Sequence, residues 1–380
     1  MAEEHFLLRK VLSNIAFENN FSEFELSIIL FSTDGANFYN NIFIATISNS
    51  DNEELSLFVK VATIGEQKRQ FAPVCIYRSE IEFYSKILEF YKNIEERHNV
   101  PNEHKLILPK LYGFHFSYSK ETLVLNNLLA EGYSMYDRFQ TIDWDYASHS
   151  LTALAKLHGL SIAYSFEYPE EFRKDGENMK IHENIDSLRD DLESAIVKVL
   201  LVTKEENKDR LKKFLDGVTS VEYFKSVLKP MKSCVLTHAD YRTRNLLHKV
   251  KDGKTIEVIP IDFQTIRHGN LVSDVVHFIF TSSDQQFRRI FYQKCLEHYY
   301  TELSNTLIRL HLDPTQIYSR VDFEYELKQA SSYGLLSAIL CLFVETDSKD
   351  TPKLDDKFSN ELYADRINGV IEDFVLLGII

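Results

Sequence analysis

The chain has 380 residues, a formal net charge of -14 and four cysteines. This length is enough for two domains or for a bilobal fold with a large core. The acidic charge opposes binding to nucleic acid or to an anionic membrane surface, because proteins that bind either one present basic patches. The cysteines are far apart and lack zinc spacing, which excludes a disulfide scaffold and predicts core thiols. They are Cys75, Cys234, Cys295 and Cys341.

The sequence gives no membrane or targeting signal. Residues 1–5 are acidic where a secretory signal would be basic, and no long apolar stretch follows them. The strongest apolar run, residues 335–344, is too short to cross a bilayer and predicts a buried helix. We therefore expect a cytoplasmic protein with no membrane partner, no nucleic-acid partner and no evident obligate protein partner.

The first third of the chain has the pattern of a small β-rich lobe. Short polar turns separate the first three predicted strands, which indicates an antiparallel meander. Pro73 fits the first turn of the helix that follows them. The predicted elements are a helix at 5–17, strands at 25–32, 41–48 and 55–61, a helix at 73–91, and strands at 108–116 and 122–128.

The turn at residues 32–41 lies where a loop that covers phosphates would be expected. It contains a single glycine, Gly35, with Asn37 and Asn40 as side-chain donors. Backbone amides and these two amide groups can donate to a phosphate, but one glycine is a weak signal and an ordinary hairpin loop is favoured. The chain has no GxxxxGK sequence, which excludes a P-loop NTPase.

Lys60 lies in an otherwise apolar strand, which indicates a buried role for its amine. In kinase-type folds such a lysine contacts nucleotide phosphates, and a glutamate of the next helix holds it. Helical spacing favours Glu80 over Glu82, because Glu80 shares its face with apolar side chains. A buried carboxylate needs a cationic partner, so we predict a Lys60–Glu80 pair. The alternative is a lysine on an edge strand beside a partly exposed glutamate.

Beyond Gly132 the predicted strands give way to helices at 143–161, in much of 186–218 and between 284 and 380. A β-rich lobe followed by a helical lobe predicts an α+β, bilobal architecture with a cleft between the lobes. Residues 348–358 are rich in Asp and Lys and predict an exposed mobile loop.

The second lobe contains the motif His-Ala-Asp-Tyr-Arg-Thr-Arg-Asn at residues 238–245, followed by Asp262. In kinase-type catalytic loops an Asp takes the proton of the attacking hydroxyl, and an Asn five residues later and a second Asp bind Mg²⁺. Asp240, Asn245 and Asp262 fit these roles. A hairpin predicted at 246–249 and 256–261 brings Asn245 close to Asp262. A polar turn and a strand-end cap are the alternative.

Several short segments carry a resemblance to a known family. They are residues 35–39, 58–60, 80–84, 123–128, 131–133, 154–158, 238–245 and 261–264. These segments resemble the ecdysteroid kinase-like family, a branch of the protein-kinase-like fold related to choline kinase and aminoglycoside phosphotransferases. The Asp-Phe-Gln at 262–264 and the Glu-Gly-Tyr at 131–133 are more similar to this family than to protein kinases.

The resemblance implies a protein-kinase-like fold with a nucleotide lobe and hinge at 1–128 and a helical lobe with the catalytic hairpin and acceptor site at 129–380. It implies that Asp240 is the base, that Asn245 and Asp262 bind Mg²⁺, and that Lys60 and Glu80 contact the phosphates. The cover loop with Gly35 and Asn37, and a hinge formed by Asn126, Asn127 and Leu128 that holds adenine through backbone bonds, complete the implied nucleotide site. Asp274 would brace the catalytic loop; its alternative role is a helix N-cap.

The chain departs from the family pattern at three places. Ala239 replaces the usual Gly before the catalytic Asp, which requires ordinary backbone angles or modest strain. The hinge carries Asn126 and Asn127 in place of acidic residues. Arg242 and Arg244 stand where Trp or small polar residues are common. Either arginine has the charge to bind the transferred phosphate, but the favoured interpretation is that both face solvent.

The resemblance implies a kinase that uses ATP and Mg²⁺ to phosphorylate an alcohol of a small molecule. The favoured acceptor is an ecdysteroid, phosphorylated at its 22-hydroxyl to give an inactive hormone conjugate. Two alternatives stay open: a choline-like or xenobiotic kinase of the same fold, and a non-catalytic protein that binds a small ligand. A quaternary ammonium acceptor would call for an acidic and aromatic cage.

Overall fold

The computed structural model describes residues 2–31, 40–62, 76–117, 120–179, 186–218, 220–347 and 356–380. The predicted phosphate-cover loop with Gly35 and Asn37 lies outside the described residues. So do Cys75 and most of the predicted loop at 348–358.

The N-terminal lobe is built on a five-stranded antiparallel sheet with the strand order β1-β2-β3-β5-β4. The predicted meander of the first three strands is confirmed, and β3 lies in the middle of the sheet between β2 and β5. The strands are β1 (Glu25–Leu30), β2 (Asn40–Ser48), β3 (Glu54–Ala62), β4 (Leu111–His115) and β5 (Thr122–Asn126).

Helix α1 (Ala2–Glu18) covers one face of this sheet. Its apolar side chains, such as Leu12 and Ile15, pack in one buried cluster with Ala45 and Val59 of the strands. The helix approaches β4 closely at Gly113, where an added Cβ would lie 3.0 Å from Ile15 Cδ1. Burial of this apolar face fixes the helix against the sheet.

A long helical segment follows the sheet's third strand and carries Glu80. It consists of α2 (Ile76–Glu82), a π-helical turn (Phe83–Ile87) and α3 (Leu88–Arg97), so it extends six residues beyond the predicted end at 91. The turn buries Phe83, whose ring stacks on Phe263 with centroids 3.9 Å apart. The π turn was not predicted from the sequence.

The C-terminal lobe is helical, as predicted, and the α+β class is confirmed. A single large apolar cluster runs through it, centred on helices α4, α9, α10 and α12. Its helices are α4 (Trp144–Glu167), α5 (Pro169–Asn178), α6 (Asp186–Val202), α7 (Glu205–Val218), α8 (Val221–Leu228), α9 (Leu271–Ser282), α10 (Gln285–Arg309), α11 (Pro314–Ile317), α12 (Arg320–Thr346) and α13 (Asp356–Leu376). Three 3₁₀ turns accompany them, at Asn102–His104, Thr243–Asn245 and Phe263–Thr265.

The predicted hairpin is present as β8 (Leu246–Lys251) and β9 (Lys254–Pro260). Asp252 and Gly253 join the strands with φ values of 52° and 75°, the backbone that a two-residue hairpin turn requires. Three short strands were not predicted: β6 (Tyr133–Met135), which pairs with β8, and β7 (Val235–Thr237) and β10 (Arg267–Gly269), which pair with each other. Three residues are too few to show an alternating pattern.

Helix α12 contains the apolar run at 335–344. It is the one helix in the described part of the chain that is long and apolar enough to cross a membrane, and 56% of its apolar window is buried inside the protein. Side chains such as Leu335, Ile339 and Leu342 are fully buried and pack in the C-terminal lobe. The prediction of a buried helix is therefore confirmed.

The three cysteines that the structure describes are free thiols. Cys295 is buried, but Cys234 and Cys341 are partly exposed, so the prediction of core thiols is correct for Cys295 only. Burial raises the pKa of Cys234 to about 11 and the pKa values of Cys295 and Cys341 to about 12. All three therefore stay protonated near neutral pH.

Candidate active site

Lys60 joins the two lobes through a buried ion cluster. Its Nζ lies 2.8 Å from Glu80 Oε1 and 2.8 Å from Asp262 Oδ1. The Lys60–Glu80 pair predicted from helical spacing is thus present, and the alternative of an edge-strand lysine is wrong because β3 is a central strand. Glu82 points away from Lys60, as predicted, and pairs instead with Arg78 on its own helix at 2.8 Å.

Charge inside this cluster is unequal, since one ammonium group faces two carboxylates. Burial opposes ionisation of Lys60, but the charges of Asp262 and Glu80 outweigh it and raise the lysine pKa above its ordinary value. Lys60 therefore stays cationic at neutral pH. Burial raises the pKa of Glu80, and the charge of Lys60 opposes this shift.

Asn245 and Asp262 come together at the open end of the β8–β9 hairpin. The Ile261 amide donates to the Asn245 carbonyl at 2.9 Å, which fixes the residue before Asp262 beside the residue that precedes β8. The side-chain amide of Asn245 donates to the Asp240 carbonyl at 2.9 Å and to Asp240 Oδ2 at 2.8 Å. The three residues singled out in the sequence thus form one site.

These residues offer a set of oxygen donors that suits Mg²⁺. The Asn245 amide nitrogen is engaged by Asp240, which leaves Oδ1 as the atom of this side chain that can bind a metal. Asp262 has a side chain that is 32% exposed, and only its Oδ1 contacts Lys60. One amide oxygen and one accessible carboxylate oxygen fit a cation that keeps much of its shell for water and phosphate.

Asp240 is held by Arg242 and His277, in addition to Asn245. Arg242 Nη2 donates to Asp240 Oδ2 at 3.1 Å, and Arg242 Nε lies 2.8 Å from Oδ1 as an ion pair. His277 of α9 places Nε2 3.5 Å from Oδ1. Burial opposes ionisation of Asp240, but the charge of Arg242 and the contact with His277 outweigh it and lower the carboxyl pKa well below its usual range. Asp240 is therefore ionised, as a proton acceptor must be.

Arg242 and Arg244 do not face solvent, which corrects the favoured sequence reading. Their side chains are 18% and 14% exposed, and both contact Glu345, which lies near the end of α12. Arg244 also donates to the Val344 carbonyl at 2.8 Å. The arginines are thus part of the packed site.

Ala239, which precedes Asp240, and Asp262 itself adopt a strained backbone. Ala239 has a φ of 66° and Asp262 a φ of 67°, both in the left-handed region. Of the two alternatives for Ala239, strain is therefore the correct one, and it costs about 1–2 kcal/mol for a residue with a Cβ. Such outliers persist where surrounding contacts hold them in place.

Asp274 supplies those contacts. Its Oδ2 accepts from the His238 amide at 2.7 Å and its Oδ1 from the Ala239 amide at 2.8 Å. It is not the N-cap of α9, because the Asn270 side chain accepts from the Ser273 amide. Burial opposes ionisation of Asp274, but the hydrogen bond from His158 and the neighbouring donors outweigh it and lower the carboxyl pKa.

An aromatic stack connects the segment at 262–264 with the catalytic loop at 238–245. The Phe263 ring lies between Phe83 of the π turn, at 3.9 Å, and His238 of the catalytic loop, at 4.8 Å. His238 Nε2 also lies 2.9 Å from the Ile261 carbonyl. The residue that follows Asp262 is therefore anchored to both lobes.

The hinge residues are engaged in local bonds. The backbone amides of Asn126 and Asn127 donate to the carbonyls of Lys110 and Ser56 at 3.0 and 3.1 Å. Their side chains also bind these two residues. Three backbone amides were predicted to form the hinge. Among the described residues there is an acceptor for the amides of Asn126 and Asn127, but none for the amide of Leu128.

Four residues near Asp240 and Asp274 were not predicted from the sequence: His158, His277, Cys341 and Glu345. The ligand atoms of Asp240, His277 and Cys341 lie within 4.8 Å of one another. These residues are far from the motif in sequence, and no spacing rule connects them to it. His158 lies in a segment that carries the family resemblance, which was the one signal available.

Comparisons with known proteins identify the family. The solved structure of the GDP complex of aminoglycoside 2'-phosphotransferase-IIIa has 10% sequence identity and a TM-score of 0.47, and the match covers 96% of this chain and 98% of that one. An aminoglycoside phosphotransferase from Streptomyces rimosus ATCC10970, in complex with ADP and streptomycin, has 9% identity and a TM-score of 0.28, with coverage of 94% and 97%. No curated protein matches this chain.

The model of the ecdysteroid kinase-like family matches residues 34–312, which is more than half of the chain. The chain belongs to the ecdysteroid kinase-like family of small-molecule kinases.

Proposed function

We propose that this protein transfers the γ-phosphoryl group of ATP to an alcohol of a small molecule, with Mg²⁺ as cofactor. The first candidate acceptor is an ecdysteroid, phosphorylated on its 22-hydroxyl to give an inactive conjugate. The proposed location is the cytoplasm. The nucleotide lobe comprises residues 1–128, and the lobe at 129–380 carries the acceptor site.

One observation supports this proposal most directly. Lys60 Nζ lies 2.8 Å from Glu80 of the N-terminal lobe and 2.8 Å from Asp262 of the C-terminal lobe. Asp262 in turn lies beside Asn245, which bonds Asp240. A phosphate-binding cation, two metal-type oxygen donors and a carboxylate base in one cleft are the parts that phosphoryl transfer requires.

The proposed chemistry needs one proton acceptor. Asp240 accepts the proton of the acceptor hydroxyl as the oxygen forms a bond to the γ-phosphorus. The bond between this phosphorus and the β–γ bridging oxygen breaks, and ADP leaves. Asn245 directs the base, because its amide donates to both the backbone and the carboxylate of Asp240.

Charge neutralisation is the second requirement. Lys60 would contact the nucleotide phosphates, with Glu80 fixing its position. Asn245 and Asp262 would hold Mg²⁺, which when bound neutralises charge on the transferred phosphoryl group. The Leu128 amide would bind adenine, and Gly35 and Asn37 would cover the phosphates.

The surroundings of Asp240 favour an uncharged acceptor. The Glu345 carboxylate is already bound by Arg242 and Arg244, so it is not available to an ammonium group. On the other side of the base, His277 packs against Tyr333 with ring centroids 6.1 Å apart. A guanidinium group beside the base repels a cationic acceptor such as choline or an aminoglycoside, whereas the rings of His277 and Tyr333 also suit the apolar skeleton of a neutral alcohol.

An acceptor panel tests the proposal. Purified protein is incubated with Mg·ATP and, in separate reactions, ecdysone, 20-hydroxyecdysone, an ecdysteroid lacking the 22-hydroxyl, choline and an aminoglycoside. Mass spectrometry then detects phosphorylated product. We expect product with the first two compounds, none with the 22-deoxy compound, and none from Asp240→Asn.

The other outcomes separate the alternatives. Product with choline or with an aminoglycoside alone would replace the ecdysteroid by a cationic acceptor of the same reaction. Ligand binding without ATP turnover, with every acceptor, would overturn the kinase proposal in favour of a binding protein.

A further inference from the structure

Glu345 occupies an unusual position for a buried acid. It lies 103 residues after Arg242 in the chain, and its side chain is only 1% exposed. One of its oxygens, Oε1, accepts from Arg242 Nη1 at 2.6 Å and lies 3.2 Å from Arg244 Nε. A buried carboxylate is costly unless it is paired, so the two arginines account for its burial.

Arg242 uses three nitrogens in two directions. Nη2 donates to Asp240 Oδ2, Nε lies 2.8 Å from Asp240 Oδ1 as an ion pair, and Nη1 donates to Glu345. A rigid, planar guanidinium that contacts both oxygens of a carboxylate restricts the orientation of that carboxylate. The orientation of Asp240 therefore depends on Arg242, and the position of Arg242 depends on Glu345.

The end of α12 makes Glu345 a rigid anchor. Arg244 Nη2 donates to the Val344 carbonyl at 2.8 Å. Arg138 Nη1 donates to the carbonyls of Val344 and Glu345 at 3.1 and 3.0 Å. These are among the last carbonyls of the helix, which lack helical partners and carry the negative end of its dipole, so guanidinium donors stabilise them.

The charges of this group are balanced. Two carboxylates, Asp240 and Glu345, face two guanidinium groups, Arg242 and Arg244. Removing the charge of Glu345 leaves two cations for the single carboxylate of Asp240. Arg242 then loses the partner that holds it against Asp240, and Arg244 loses the carboxylate that it contacts.

We propose that Glu345 is a positioning residue of the phosphotransfer site, which holds Arg242 against both oxygens of the Asp240 carboxylate and thereby directs that carboxylate at the acceptor hydroxyl. This inference rests on the proposed function, because it takes Asp240 as the base. Glu345 itself does not touch the reacting groups, and its effect passes through Arg242.

Steady-state kinetics of three variants test the inference: Glu345→Gln, Arg242→Lys and the double variant. We expect each single change to lower kcat about 100-fold, because a misplaced base loses about this factor. The KM for ATP should change less than about twofold, because neither residue belongs to the Lys60 cluster. The double variant should be no slower than the slower single variant, because both changes act through the same carboxylate.

A matched control lies on the same helix. Glu326 is also fully buried in α12, where it accepts from the Lys232 and Ser233 amides and from the Tyr318 hydroxyl. Glu326→Gln should lower the melting temperature and leave kcat of the folded protein unchanged. If Glu345→Gln behaves in the same way, or if the losses in the double variant multiply, the inference is wrong.

A second readout does not depend on turnover, so it separates this inference from the proposed function. Arg242 Nε lies 2.8 Å from Asp240 Oδ1, so its Nε–H signal in a ¹⁵N NMR spectrum reports the contact with this carboxylate. The variant Asp240→Asn identifies the shift that follows when the contact weakens. We expect Glu345→Gln to move the signal in the same direction. An Arg242 signal unchanged by Glu345→Gln overturns the inference, whereas absence of product from the wild-type protein with every acceptor overturns the proposed function alone.

Discussion

Two charge clusters meet at the cleft, and they differ in composition. The Lys60 cluster contains one cation and two carboxylates, Glu80 and Asp262. The Arg242 cluster contains two cations, Arg242 and Arg244, and two carboxylates, Asp240 and Glu345. The first cluster has an excess of negative charge, which would favour a metal ion, whereas the charges of the second are balanced.

The difference assigns separate tasks to the two clusters. In our account the Lys60 cluster binds nucleotide and metal, and the Arg242 cluster holds the base. Asn245 connects them, since its side chain donates to Asp240 and its carbonyl accepts from the amide of Ile261, the residue before Asp262. Changes in one cluster should therefore affect nucleotide binding, and changes in the other should affect the chemical step.

The largest effect is expected from Asp240→Asn. The amide cannot accept the hydroxyl proton, so kcat should fall about 10³-fold. ATP binding should be retained, because Asp240 contacts neither Lys60 nor Glu80. Product formation in single turnovers and calorimetric ATP titration check the two parts, and an unchanged kcat would exclude Asp240 as the base.

A smaller loss is expected when Glu80 loses its charge. In Glu80→Gln the ammonium of Lys60 keeps only Asp262 as a charged partner, and a displaced lysine should lower kcat/KM for ATP about 100-fold. The matched variant is Glu82→Gln, two residues away on the same helix, where the carboxylate pairs with Arg78. Kinetics with varied ATP compare them, and equal losses would contradict the role of Glu80.

Asp274→Asn should lower activity about tenfold, which corresponds to about 1.4 kcal/mol. An asparagine cannot accept from two backbone amides with both side-chain atoms, so the loop at His238 and Ala239 loses one support. The pKa of Asp274 is lowered in the fold from an ordinary value of 3.8. Its contribution to stability is therefore complete above this pH and is lost as the pH falls further.

Denaturant unfolding at a series of acidic pH values checks this pH dependence. The wild-type protein should lose more stability than Asp274→Asn as the pH falls below about 4. The same slope in both proteins would show that Asp274 is not a stabilising carboxylate of the loop.

The smallest expected effect is on stability alone. Ala239→Gly removes the Cβ from a residue with a φ of 66°. Relief of left-handed strain outweighs the greater entropy of glycine in the unfolded chain, so the free energy of unfolding should rise by roughly 0.5–1 kcal/mol. Chemical denaturation measures it, and a less stable variant would mean that Ala239 is not strained.

The comparison of the clusters also explains what the sequence could predict. Lys60 and Glu80 lie on consecutive elements, and helical periodicity alone selects the inward glutamate. Asn245 and Asp262 lie at the two ends of one hairpin, so the turn brings them together. In both cases the partners are fixed by local geometry.

Glu345 and His277 were not predicted, because helix packing in the C-terminal lobe brings them to the catalytic loop. The apolar run before Glu345 predicted a buried helix but not where that helix ends. The same limit explains why Arg242 and Arg244 were expected to face solvent: their acceptor is 103 residues beyond Arg242. The left-handed backbone of Ala239 is also imposed from a distance, by Asp274.

The most direct test of separate tasks is calorimetric titration of Mg·ATP into the wild-type protein, Asp240→Asn and Asp262→Asn. The account predicts that Asp240→Asn binds Mg·ATP like the wild-type protein, whereas Asp262→Asn binds it more than about tenfold more weakly because a metal ligand is lost. Equal affinity in all three proteins, or a loss confined to Asp240→Asn, would contradict the assignment of nucleotide binding to the Lys60 cluster.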